Sequence, residues 1–206
     1  SATDQGCKET LYINSLGGDV DGAMKAGEFI RQKEMDVIVL GGESCASSCV
    51  LLLLGGVKRF AGGKIGLHRP YSTSYSETDS EAKNKYESIN LSIRSYLKRM
   101  NIPVRLLEEM NAIPPNEIKW LYGTNRSDQV KLVELHIEGK DPIYLDRVSS
   151  LKAKELGISK QEFYARKSKE QAICTSDKIN PDGRMSLSET FEMMGKCSDD
   201  VMAGRR

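Results

Sequence analysis

Histidine and tryptophan are scarce in this chain, with two and one among 206 residues, and net charge is nearly absent: 30 Lys plus Arg against 29 Asp plus Glu leave +1. Each shortage excludes something. Without a cationic surplus nothing global draws the chain toward nucleic acid or anionic lipid, so no nucleic-acid partner is expected. The longest aliphatic run, Val50–Leu54, falls far short of the roughly 20 residues that span a bilayer, so no membrane span is expected either. Only His68 and His136 are available as imidazole ligands, and no two cysteines stand at CxxC spacing, so a zinc cluster lacks its donors. No cofactor of any kind is expected. The opening residues, Ser1-Ala2-Thr3-Asp4-Gln5-Gly6, resemble neither a signal peptide nor an initiator-Met start and read as a processed or trimmed end.

What is present is length enough to bury a real core, in one domain or one domain with an appendage, and an unexpected number of cysteines. There are five: Cys7, Cys45, Cys49, Cys174 and Cys197. Disulfides would suit an exported protein. Buried free thiols acting as small hydrophobes fit the count equally well, and the odd total leaves at least one cysteine without an intramolecular partner.

Along the chain, Leu11-Tyr12-Ile13 is a β-prone run ended by the turn Asn14 to Gly18, where backbone must fit closely. From Asp19, small or apolar Val20, Ala23, Met24, Gly27 and Ile30 recur at helical spacing. Val37-Ile38-Val39-Leu40 shows no polar alternation and reads as a strand covered on both faces. A second helix is expected from near Ala46 to Gly55-Gly56, apolar all round and therefore deeply buried. Two short strands, Arg59–Ala61 and Ile65–Leu67, follow around Gly62-Gly63. This βαβαβ order predicts an α/β fold with a mainly parallel sheet and right-handed crossovers, whose sites form in loops at the carboxyl ends of strands. Those loops are 14–19 and 41–48. Tyr71 to Ser80 is Ser-rich and reads as an exposed, mobile loop. Ala82, Tyr86, Ile89, Ile93, Tyr96 and Leu97 then trace a long amphipathic helix ending near Asn101, and Pro103 opens another that Pro114-Pro115 closes. The composition divides the chain into an α/β domain over 1–125 and a charged, mostly helical extension over 126–206, with a helix at Ser159–Ile173.

Chemistry concentrates around Ser47. It stands where a Gly-bounded strand turns into an apolar helix, a position that exposes a hydroxyl at the positive end of the helix dipole. His68 closes the strand that leaves this helix, so the two side chains can meet across neighbouring elements. The amides of Gly18 and Ser48 supply two donors for an oxyanion hole, completing the roles of nucleophile, base and electrophilic stabiliser. The bland alternative is that Ser47 is only a helix cap.

Three ordered segments carry a resemblance: Leu11-Tyr12-Ile13-Asn14-Ser15-Leu16-Gly17-Gly18-Asp19-Val20, Cys45-Ala46-Ser47-Ser48-Cys49, and Ile65-Gly66-Leu67-His68-Arg69-Pro70. Together they resemble the Clp-protease proteolytic-subunit superfamily, and within it the bacterial, exported or periplasmic ClpP-like branch with its Cys-Ala-Ser-x-Cys segment. The resemblance covers about residues 10 to 125. It implies a ClpP/crotonase-like superhelix of βαβ units, Ser47 as nucleophile in preference to Ser48, His68 as general base, and Gly18 and Ser48 as oxyanion donors. It also implies a peptide or protein substrate, a homo-oligomer, and a periplasmic or secreted location.

Three departures accompany it. Leu16 stands where the family usually has Pro. The strand and helix that normally precede the first strand are absent from this sequence. At the family's aspartate position stands Ile118, before Lys119-Trp120-Leu121, and an isoleucine cannot orient an imidazole. Glu117, one residue off register, and Asp146, reached by a rival alignment through Ala153-Lys154-Glu155-Leu156-Gly157, are alternative acids, and a Ser–His dyad without an acid is a third option. Loss of the orienting acid costs about 10⁴-fold in the well-studied triad. The leading expectation is therefore a serine hydrolase, most simply a peptidase. The alternatives are a catalytically impaired ClpP-like interaction protein and, behind it, a crotonase-type acyl-CoA enzyme.

Other motifs carry blander readings. Asn180, Asp182, Gly183 and Glu189 mimic an EF-hand loop, but Lys178 occupies its first ligand position, so no calcium site is expected. His136 reads as a surface or structural histidine. Cys45 and Cys49, at i and i+4 around Ser47, lie within bridging range if the turn is helical. A bridge there and a pair of packed thiols remain equally open. Cys174 and Cys197 flank a Pro-Asp-Gly turn and pair by proximity in sequence, leaving Cys7 single.

Overall fold

A computed structural model describes residues 9–70 and 78–205. The chain divides into two compact units, one up to Tyr144 and one from Leu145. Residues 126–144, grouped by composition with the extension, contribute a helix and a short strand to the first unit.

In the first unit, strand β1 (Thr10–Tyr12) leads to helix α1 (Val20–Gln32), which starts where Asp19 accepts the Gly22 N–H at 2.6 Å. Strand β2 (Asp36–Val39), β3 (Ser44–Ala46), helix α2 (Ser48–Leu54), β4 (Lys58–Ala61) and β5 (Lys64–Leu67) follow. Then come the long helix α3 (Asp79–Arg99), α4 (Arg105–Asn111), β6 (Lys119–Tyr122), α5 (Arg126–Glu134) and β7 (Gly139–Lys140). Helix α6 (Pro142–Glu155) crosses the boundary between the units.

The α/β class holds, but the strands divide into two sheets where one was expected: β1-β2-β4-β7 and β3-β5-β6. β1, β2 and β4 run parallel, as do β3 and β5, while β7 and β6 add antiparallel edges. The reason is β3. Ser44-Cys45-Ala46 has little β propensity of its own; pairing with β5 and a bridge from Ser15 to Cys45 hold it extended. The chain therefore changes sheet at Gly41–Glu43, back through α2, again at Gly62-Gly63 and back through α5.

Helix α2 is as buried as its composition demands, with Leu51, Leu53 and Leu54 at most 1% exposed. It crosses α1 so tightly that a β-carbon on Gly55 would lie 2.3 Å from the Gly27 carbonyl oxygen. Strand β2 is buried at Asp36, Val37 and Val39 and half-buried at Ile38, so both of its faces are largely covered, and Leu40, just past its end, is exposed. Of the expected loop 71–80, residues 71–77 lie outside the described residues, and Thr78 opens α3 with a reciprocal bond pattern to Glu81. Arg31, at the end of α1, donates to the Met100 carbonyl at 2.5 Å and meets Asp141 at 2.8 Å, joining α1, the end of α3 and the segment after β7.

The second unit is helical: α7 (Lys160–Ile173), α8 (Ser176–Ile179) and α9 (Leu187–Met202) follow α6. Ser159 and Ser186 cap α7 and α9. Cys174 and Cys197 form a disulfide, Cα atoms 5.6 Å apart, inside a small cluster with Val201. Asn180 of the EF-hand-like segment spends its amide on Met185 and Thr190, so it works as a loop staple. Cys7 lies outside the described residues.

Candidate active site

Ser47 is the first residue beyond β3 and sits at φ 58°, ψ −131°, a conformation that L-residues rarely adopt. Such backbone strain, of order 1–3 kcal/mol, persists only where surroundings over-determine it, and at a strand-to-helix turn it projects a serine hydroxyl outward. The surroundings are identifiable. The Ser47 N–H donates to the Gly66 carbonyl of β5 at 3.0 Å, and a disulfide between Cys45 and Cys49, Cα atoms 5.3 Å apart, straddles the turn. The Ser47 side chain makes no capping bond to α2, so the bland reading of this serine as a helix cap does not hold.

The loop before α1 is zipped onto β3. Ser15 N–H donates to the Ser44 carbonyl at 2.8 Å, Ala46 N–H to the Ser15 carbonyl at 3.0 Å, and Ser44 N–H to the Asn14 side chain at 3.2 Å. Ser15 Oγ accepts the Gly17 N–H at 3.1 Å, holding the turn at the place where Leu16 replaces the expected proline. Gly17 then lies directly against Ser47, which the sequence did not single out. Gly18, at φ 153°, has open space around its α-carbon. Ser48 opens α2, so its N–H has no carbonyl one turn back to pair with. Gly18 and Ser48 line the same groove of about 360 Å³, with Asn14, Asp19, Cys49 and Leu52 among its other walls.

His68 is the first residue beyond β5 and is buried, 7% exposed. Because β3 and β5 are parallel neighbours with Ala46 opposite Gly66, Ser47 and His68 both leave the sheet at the same carboxyl-terminal edge. The His68 Nδ1 stands 2.9 Å from the Arg69 carbonyl oxygen; a carbonyl only accepts, so Nδ1 carries the proton of that bond.

Strand β6 pairs Lys119 with Leu67, so continuing the antiparallel register brings Ile118 opposite His68, and Ile118 Cγ2 would touch a β-carbon on Gly66 at 2.9 Å. Glu117 is exposed in the tight turn made by its N–H with the Pro114 carbonyl. Asp146 belongs to the second unit, ion-paired with Lys160, whose ammonium it holds above the usual lysine pKa. His136 is exposed, and its carbonyl accepts from Arg59 Nε at 3.2 Å, a structural contact. Trp120 is half-buried beneath the Lys64 ammonium, 5.0 Å from its ring, and so belongs to β6 and not to the deep core.

A family model described as Clp protease matches residues 2–102. Over this stretch the chain belongs to the Clp protease family. No curated protein matches the chain. The matched residues include Gly18, Ser47, Ser48 and His68 and stop before Glu117, Ile118 and Asp146, so the family assignment rests on the half of the chain that holds the nucleophile, base and oxyanion candidates.

Proposed function

We propose that this Clp protease family member is a serine peptidase working through an acyl-enzyme. The observation that carries the reading is Ser47: a strained serine at a strand-to-helix turn, directly after β3, whose parallel partner β5 ends one residue before His68. Ser47 Oγ attacks the substrate carbonyl as His68 takes its proton, and the N–H groups of Gly18 and Ser48 hold the oxyanion. Collapse expels the amine with the proton from His68. Water, deprotonated by the same imidazole, then releases the acyl group and restores Ser47.

Two disulfides support an oxidising, periplasmic or secreted setting. Among the described residues no helix is long and apolar enough to cross a membrane. The family match supports a homo-oligomer acting on peptide or protein substrates. A fluorophosphonate should label the native chain at Ser47 and leave Ser47→Ala unlabelled; equal labelling of both, or none of the native chain, overturns the reading. Ile118 opposite His68 favours one second reading, an impaired relative that binds without cleaving. Under that reading the native chain captures peptides but acquires no covalent adduct.

A further inference from the structure

Arg69 joins the proposed base to the end of a helix on the far side of the loop. Its guanidinium donates through Nε and Nη2, at 3.0 and 2.9 Å, to the carbonyl of Asn111, the last residue of α4. Helix C-terminal carbonyls lack intrahelical partners and carry the negative end of the dipole, so a cation is the natural cap there. The Arg69 N–H reaches the Ile113 carbonyl at 3.3 Å. Pro70 follows, and a residue before proline is confined to extended backbone. Three hydrogen bonds and a restricted ψ therefore fix the direction of one remaining group, the Arg69 carbonyl, which receives His68 Nδ1 at 2.9 Å. The Asn111 amide is itself held, donating to Asn90 Oδ1 at 2.7 Å, and Asn90 donates to the Tyr86 carbonyl within α3.

We infer that Arg69 is a positioning residue whose backbone carbonyl, clamped through its guanidinium on Asn111, orients His68 and selects the tautomer with Nδ1 protonated. Nε2 is then the unprotonated nitrogen that takes the Ser47 proton. The hydrogen bond that an orienting carboxylate makes to a histidine is supplied here by a main-chain oxygen, which is compatible with Ile118 at the position just before β6. This inference rests on reading Ser47 and His68 as nucleophile and base.

The test is nitrogen NMR of the full chain labelled at histidine, at a pH where the imidazoles are neutral. With two histidines in the sequence, His136→Asn assigns both resonance pairs; Asn tolerates the left-handed backbone at that position, φ 57°. The native chain should show His68 with a protonated Nδ1 and a pyridine-type Nε2. Arg69→Ala should mix the tautomers and slow fluorophosphonate labelling of Ser47 by about 10- to 100-fold, the cost of a misplaced catalytic group. Arg69→Lys, keeping one donor for the Asn111 carbonyl, should recover part of both. A native His68 protonated at Nε2 overturns the inference without any variant. So does an Arg69→Ala chain with native tautomer and native labelling rate, or a Glu117→Gln chain whose labelling falls as far as that of His68→Ala. Tautomer mixing in Arg69→Ala alongside a native chain that never labels supports the positioning role and removes the peptidase reading instead.

Discussion

Gly17 lies so close to Ser47 that a β-carbon on it would fall 2.6 Å from Ser47 Cβ and 2.8 Å from the Ala46 carbonyl oxygen. The turn that carries the oxyanion candidate and the turn that carries the candidate nucleophile are therefore packed against each other.

Substitution should separate the two glycines. Gly17→Ala meets backbone at φ 104° and must displace Ser47, so labelling should fall about 100-fold with a drop in Tm. Gly18→Ala meets nothing within 4 Å and costs only the strain of φ 153°, so any loss of labelling there should come with a smaller change in Tm. Equal effects of both on Tm would show that the close approach is not what constrains Gly17.

The buried Tyr96 hydroxyl donates to the Leu51 carbonyl of α2 at 2.6 Å, in space that Gly27 leaves open; a β-carbon there would stand 1.9 Å from it. Tyr96→Phe should cost about 1–2 kcal/mol in denaturant melts. Burial also holds the Tyr96 phenol above its ordinary pKa of 10.0. A raised phenol pKa means the folded state favours the neutral form. Its contribution is complete below pH 10.0 and is lost as pH climbs toward the folded value. Stability should accordingly fall less steeply above that pH in Tyr96→Phe than in the native chain.

The two disulfides should have separable effects. Cys174 and Cys197 are 23 residues apart within the second unit, and replacing both by Ala should destabilise that unit by about 3 kcal/mol while Ser47 labels as before. Cys45 and Cys49 close only a short loop, but it contains Ser47. Their replacement should lower the labelling rate more than it lowers Tm. Reductant should reproduce that result in the native chain and have no further effect on labelling in Cys45→Ala/Cys49→Ala.

Asp141 is 5% exposed and faces Arg31 across 2.8 Å. Asp141→Asn leaves the guanidinium buried without its counter-charge, which should cost about 3–5 kcal/mol in thermal or urea unfolding. A loss below 1 kcal/mol would mean that the Met100 carbonyl alone satisfies Arg31.

Much of the fold was readable because it is written in local pattern. The helical spacing after Asp19, the apolar run after Ser47, the period from Ala82 to Leu97 and the Ser159 cap each correspond to an element close to the residues that announce them. Strands β3, β6 and β7 were not legible. They are two to four residues long, and β3 has no β-forming side chain; they are extended because a partner strand is there to pair with.

The amino-acid sequence by itself pointed to the α/β class and the family and singled out Ser47, His68, Gly18 and Ser48 as candidates, because helical periods, turns and short motifs are local. Tertiary structure alone decided that the strands form two sheets, that Gly17 is the glycine pressed against Ser47, and that the Arg69 carbonyl meets His68 through a clamp on Asn111. Those depend on contacts between segments 20 to 82 residues apart, and no local period encodes a contact of that range.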